Sequence, residues 1–180
     1  NATLTGDASA GSALSVSATR AGGASTGGDV LFGGDATSGG DLTATAVGGG
    51  NVSLGGDVTS TGGNVSLSGS AVNFDAAASQ AVTAASGGVT VTGGANKGLG
   101  DLSLSGRTVT VNGTAVSFGG LSVTATAGDA TVTGDAVALT DLAIVASGKA
   151  TVGGSVSAGD DATLYGASVS RSEEHTSELQ

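Results

Sequence analysis

The 180-residue chain contains no cysteine, proline, methionine or tryptophan, and its aromatic residues are three Phe and one Tyr. Without cysteine there is neither a disulfide framework nor a thiolate metal site, which suits a chain exported unfolded through an oxidising compartment. Without proline nothing holds the backbone in open linker conformations. So few bulky side chains exclude the single thick core of an ordinary globular domain, so any core must be thin. No apolar run is long enough to span a bilayer, and membrane insertion is not expected. The chain opens at Asn1 without a methionine, a charged n-region or an apolar h-region, and is read as the interior of something longer.

Glu and His are also absent until the last ten positions, which hold Glu173, Glu174, Glu178 and the only histidine, His175. The string from Arg171 to Gln180 looks like the in-frame translation of a common sequencing-library adapter. Residues 1–170 are therefore expected to be a repeat fragment and 171–180 a non-native tail; the alternative is a natural polar tail or a short terminal helix. On either reading His175 is no catalyst. Without the tail, Arg20, Lys97, Arg107 and Lys149 face twelve Asp, a net charge of −8 (4 − 12) where the whole chain has −10. Such an acidic chain has neither the cations to neutralise phosphates nor the aromatic platforms to stack bases, so nucleic acid is not an expected partner. Anionic membrane surfaces are disfavoured for the same reason.

What is present is repetition. Val65-Ser66-Leu67-Ser68-Gly69-Ser70-Ala71-Val72-Asn73-Phe74 returns 44 positions later (109 − 65) as Val109-Thr110-Val111-Asn112-Gly113-Thr114-Ala115-Val116-Ser117-Phe118. Asp129 to Gly148 overlays Lys149 to Ser168 without a gap, Thr110-Val111 matches Thr131-Val132 at a spacing of 21, and Thr90-Val91 matches Thr110-Val111 at 20. Apolar residues alternate with Ser and Thr, the period-two signature of strands, although Leu, Ile, Val and Phe make up only about a fifth of the chain, at the edge of the disordered range. Within each period Gly, Asp and Asn recur about every six residues, as at Asp29, Asp35 and Asp41 or Asp129, Asp135 and Asp141, and mark tight turns.

A period of about 20 to 22 residues with about three short strands and no helix predicts an all-β fold, a parallel β-solenoid whose coils stack about 4.8 Å apart into a rod on the order of 40 Å long. Val91, Val111, Val132 and Val152 are expected to form an inward column, and Thr90, Thr110, Thr131 and Thr151 an outward one. Phe74 and Phe118 are expected at equivalent interior positions, with Leu121, Val123, Leu142 and Ile144 at another corner. Asn51 and Asn64 are expected in turn ladders that hydrogen-bond between coils.

The coil starts Gly50-Asn51-Val52-Ser53-Leu54 and Gly63-Asn64-Val65-Ser66-Leu67, with Gly40-Asp41-Leu42 and Gly56-Asp57-Val58, resemble the haemagglutination-type repeats of filamentous-haemagglutinin adhesins, the exoproteins of Gram-negative two-partner secretion. The resemblance is a pattern over residues 1–170. It implies a right-handed parallel β-helix, export through an outer-membrane transporter, an extracellular place on the bacterial outer surface, and an adhesive or stalk role toward a host or neighbouring cell surface. The N-terminal secretion domain of such proteins is not among these residues, and autotransporter passengers show similar coils.

Other motifs carry less. Gly23-Ala24-Ser25-Thr26-Gly27 fits a nucleophile elbow, but residues 1–170 offer no histidine base. Gly27-Gly28-Asp29, Gly33-Gly34-Asp35 and Gly39-Gly40-Asp41 lack the calcium-binding nonapeptide and are read as turns, with weak cation binding as the alternative. Asn-x-Ser/Thr sequons occur at Asn1, Asn51, Asn64 and Asn112, the kind of site at which some adhesins of the resembled family carry sugars, although composition alone would generate several. An ice-binding Thr-x-Thr face is met at Thr90/Thr92 and Thr131/Thr133 and broken at Asn112 and Gly153. A polysaccharide-processing β-helix enzyme would cluster acids with Arg, Lys or aromatic partners, whereas here Asp falls at turns and the cations are isolated. The expectation is therefore no enzyme, no catalytic residue, no cofactor and no metal.

Overall fold

The computed structural model describes residues 1–19 and 28–171, and these form a β-solenoid of three parallel sheets with eight strands each. The chain visits the sheets in fixed order, one strand of each per coil. The first sheet runs from Ala2–Leu4 to Val156–Ala158, the second from Ala8–Ala10 to Ala162–Tyr165, and the third from Leu14–Thr19 to Ser168–Arg171. Each strand pairs in parallel with its equivalent one coil away, so backbone hydrogen bonds run along the rod and side chains alternate between interior and solvent.

The expected columns form. Val91, Val111, Val132 and Val152 stand in consecutive register and are all buried, while Thr90, Thr110, Thr131 and Thr151 stack beside them on the outer face. Leu121 stacks on Leu142 and Val123 on Ile144, extending the buried pair Leu102 and Leu104; they line the inside of the second sheet and do not form a corner. Each fully buried Val or Leu contributes about 1.5–3 kcal/mol, so the column, not any one residue, holds the rod.

Coil length varies more than the repeats imply. Leu14 pairs with Leu42, a step of 28 (42 − 14), and Val65 with Val89, a step of 24 (89 − 65). The regular steps of 20 and 21 belong to the later coils, such as Val91 to Val111 and Val111 to Val132. The described strands keep the same side chains inward despite these unequal steps.

One expectation is overturned. Phe74 is buried at 1% exposure, but Phe118 is 61% exposed. In the first sheet Phe74 pairs with Lys97, and Lys97 with Ser117, so the interior partner of Phe74 two coils on is Ser117. Val65 and Val109 keep the 44-residue step through Val89. Val72 reaches Ala115 through Ala95 in 43 (115 − 72), because the turn after Asn112 is one residue shorter than the turn after Ser68. A one-residue slip in a strand reverses its faces, which puts Ser117 inside and Phe118 outside.

The interior tolerates this because two sheets exchange volume along the rod. In the early coils the first sheet supplies Phe32, Leu54 and Phe74 while the second supplies Ala36, Ser38 and Ser60. In the later coils the second sheet supplies Leu102, Leu104, Leu121, Leu142 and Ile144 against Ala115, Ser117, Ala136 and Ala138 from the first. Large side chains on one sheet thus face small ones on the other, as close packing requires.

Candidate functional site

The residues that recur at the coil corners have a common job. The Oδ1 atom of a corner Asp or Asn accepts the backbone N–H of the matching corner one coil further along. Asp35 receives Asp57 at 2.8 Å, Asp41 receives Asn64 at 2.8 Å, Asn64 receives Gly88 at 2.9 Å, Asp101 receives Gly120 at 2.8 Å and Asp135 receives Ser155 at 2.8 Å. The glycine before the next corner leaves room for that carboxylate: a Cβ on Gly34, Gly56, Gly63 or Gly154 would collide with Oδ1 of Asp7, Asp35, Asp41 or Asp135. The Gly-Asp pairs are thus a coil-to-coil clasp, and the expected turn ladders are real at Asn64; at Asn51 the backbone N–H donates to Asp29 at 2.9 Å.

This geometry disperses the acids. Among the described residues no group of three or more His, Cys, Asp or Glu could hold a metal ion. The sequon residues Asn1, Asn51 and Asn64 sit at corners and Asn112 ends a strand on the exposed surface. The nucleophile-elbow segment Gly23 to Gly27, with Arg20 and the tail from Ser172, including His175, lies outside the described residues.

Among the described residues one interior position carries charge. Lys97 is 1% exposed, at the register position of Phe74 and Ser117, and its Nζ donates to the carbonyls of Phe74 and Ala76. Gln80 beside it accepts the Ala76 N–H at 3.1 Å and donates to the carbonyls of Leu54 and Gly56, both at 2.9 Å. The pair ties down the turn from Asp75 to Ser79, whose ends are also held by the Asp75 N–H on the Leu54 carbonyl at 2.8 Å and by Ser79 Oγ accepting the Asp101 N–H at 3.2 Å. Burial pushes the Lys97 ammonium below the ordinary lysine value, and attraction to Asp75 and Asp101 opposes that shift. Among the described residues no buried side-chain polar atom is left without a partner.

Two surfaces stand out. The third sheet displays an unbroken outward column of hydroxyls, Ser15, Thr43, Ser66, Thr90, Thr110, Thr131, Thr151 and Ser170, on all eight coils. A second column runs Ser17, Thr45, Ser68, Thr92 and then Asn112. The unequal early coils hid the Ser15 to Ser66 part from a fixed-period reading; the hydroxyl between two inward residues was the available signal.

The other surface is a groove of about 560 Å³ on the outside of the second sheet, lined by Asp57, Asp101 and Asp141 with small residues such as Ala81, Ser103, Ser122 and Ala143. It opens where the strands of that sheet lengthen from three residues, Val58–Ser60, to five, Gln80–Ala84 and Leu102–Gly106. In the turns that lead into it Leu99, Phe118 and Leu139 are 71%, 61% and 62% exposed, each two residues before a groove residue, Asp101, Gly120 and Asp141. A large apolar residue inside a turn, out of step with the alternation, was the sequence signal for this ridge.

No protein-family model matches the chain, no curated protein matches it in sequence and no solved structure matches it. The three-sheet solenoid therefore stands on its own register and columns.

Proposed function

We propose that the chain is a stiff structural rod of a secreted bacterial surface adhesin of the filamentous-haemagglutinin kind, exported through an outer-membrane transporter and holding binding regions away from the cell. The observation that carries this reading is the continuity of the three sheets: backbone ladders and apolar columns join each coil to the next, and corner clasps such as Asp35 to Asp57 reinforce the joints, the construction of a spacer that transmits position. The Gly-Asn-Val and Gly-Asp-Leu coil starts favour the haemagglutinin kind over an autotransporter stalk. Dispersed acids favour a non-enzymatic rod over a polysaccharide-processing β-helix. Adhesion is tested by coating beads with the chain and scoring their retention on epithelial or bacterial cells. Recovery of the flanking coding sequence tests the rest: an upstream secretion domain with a neighbouring transporter gene supports it, and a catalytic domain fused in frame overturns it.

A second reading, an ice-binding solenoid, rests on the unbroken hydroxyl column of the third sheet. Its β-branched Thr members are stiff at χ1 and repeat at the coil spacing of about 4.8 Å, as a surface that orders water requires. Thermal hysteresis that Thr110→Lys with Thr131→Lys abolishes would establish it; no hysteresis in the unsubstituted chain removes it.

A further inference from the structure

We infer that the groove on the second sheet, with its apolar ridge, is a docking surface for a cationic amphipathic polypeptide segment lying along the rod. The inference concerns this face alone and holds whether or not the rod is an adhesin.

Two properties that chain position makes adjacent fix the chemistry. Asp101 and Asp141 occupy one corner column two coils apart, connected through Gly120, which places them about 10 Å from each other at two strand spacings. Both are exposed, and in both the backbone clasp uses Oδ1, so the carboxylate is fixed at the groove and not free to swing away. No cation lines the groove. The Lys97 ammonium, buried against backbone carbonyls, attracts Asp101 from inside and offsets part of its charge, but it presents no cation at the groove surface.

The apolar half is the ridge. Phe118 and Leu139 follow the paired residues Ser117 and Ala138 and so stand on adjacent coils; Leu99 stands on the coil before. Three large apolar side chains in a row in a chain this poor in them are not the scatter that any surface shows. A small cation would satisfy the acids and leave the ridge in water, and an anionic or purely apolar partner would strand the carboxylates. A segment that alternates Lys or Arg with Leu or Phe meets both, with charges supplying approach and orientation and the ridge supplying residence.

The test uses the chain and a fluorescent synthetic peptide of alternating lysine and leucine, with a glutamate-leucine peptide as control, read by anisotropy at low and physiological salt. Asp101→Asn with Asp141→Asn keeps the amide oxygen that the clasp needs, so the coils stay joined, and is expected to weaken binding about tenfold or more and flatten its salt dependence. Phe118→Ser with Leu139→Ser, on exposed positions, is expected to weaken binding about tenfold with the salt dependence retained. Asp41→Asn with Asp129→Asn, at third-sheet corners, removes the same charge elsewhere and is expected to change little. The inference is overturned if this last pair weakens binding as much as the groove pair, if the ridge pair has no effect, if spermidine displaces the peptide equally from the chain and its ridge variant, or if the peptide does not bind at low salt.

Discussion

Oδ1 of Asp129 occupies the space that a Cβ on Gly148 would take, and from there it accepts the Lys149 N–H at 2.7 Å. Acceptor and vacancy are two halves of one device, and they couple energetically. Asp129→Ala is expected to cost about 0.5–1 kcal/mol as one hydrogen bond, and Asp129→Asn less because it keeps an acceptor. Gly148→Ala is expected to cost about 1–3 kcal/mol through overpacking. The double variant Asp129→Ala, Gly148→Ala is expected to cost less than the sum, since truncating the aspartate opens the space the new methyl needs. Urea unfolding of the four proteins measures this, and strict additivity would show that the clasp is not a unit.

Phe74 and Phe118 separate the interior from the ridge. Phe74→Ala removes a fully buried ring and is expected to cost about 3–5 kcal/mol, with the larger part being the cavity the neighbouring coils cannot close. Phe118→Ala is expected to cost less than about 0.5 kcal/mol, as a surface change away from structural contacts. Equal losses in denaturant midpoint would mean that both rings are inside.

Those two phenylalanines also mark how far the sequence is legible. Alternation is a local property, so the inward Val91 to Val152 column and the outward Thr column could be read directly. Register across a turn depends on the turn's length, and the residue missing between Asn112 and Ala115 is invisible when Phe74 and Phe118 align by eye. The consequence is non-local: where the first sheet turns in Ser117 in place of a ring, the second sheet fills the later interior with Leu102, Leu121 and Leu142. The groove escaped for a related reason, because it arises from strands of unequal length brought side by side.

Lys97 gives the rod a pH dependence whose sign follows from burial. Its folded pKa is depressed, so between that value and the ordinary lysine value the unfolded chain binds more protons than the folded one. Stability is then expected to rise with pH through that alkaline window as the interior ammonium is neutralised, while the neutral amine still donates to the Phe74 and Ala76 carbonyls. Below the window the penalty of the buried charge is present in full. Lys97→Met lacks the titrating group, and the stability difference between the chain and this variant should shift in favour of lysine as pH rises. A difference that is flat or falls would mean that the ammonium is stabilised where it stands.

Because each coil touches only its neighbours, a whole coil should be removable. Residues 129–148 and 149–168 share a step of 20 in all three sheets, as Ala130 with Ala150, Ala136 with Val156 and Leu142 with Ala162 show. Deleting 129–148 would bring Val152 over Val111, Ala158 over Ser117 and Leu164 over Val123, with every inward position still filled by an apolar or small residue. The shortened chain is expected to keep its strand circular-dichroism signal per residue and to unfold cooperatively at a somewhat lower temperature, having lost one coil–coil interface. Deleting 129–147 instead leaves one extra residue and shifts the faces of every strand after the junction unless a turn absorbs it, so it should cost far more. If the two deletions unfold alike, equivalent residues are not stacked coil over coil, and the solenoid itself fails.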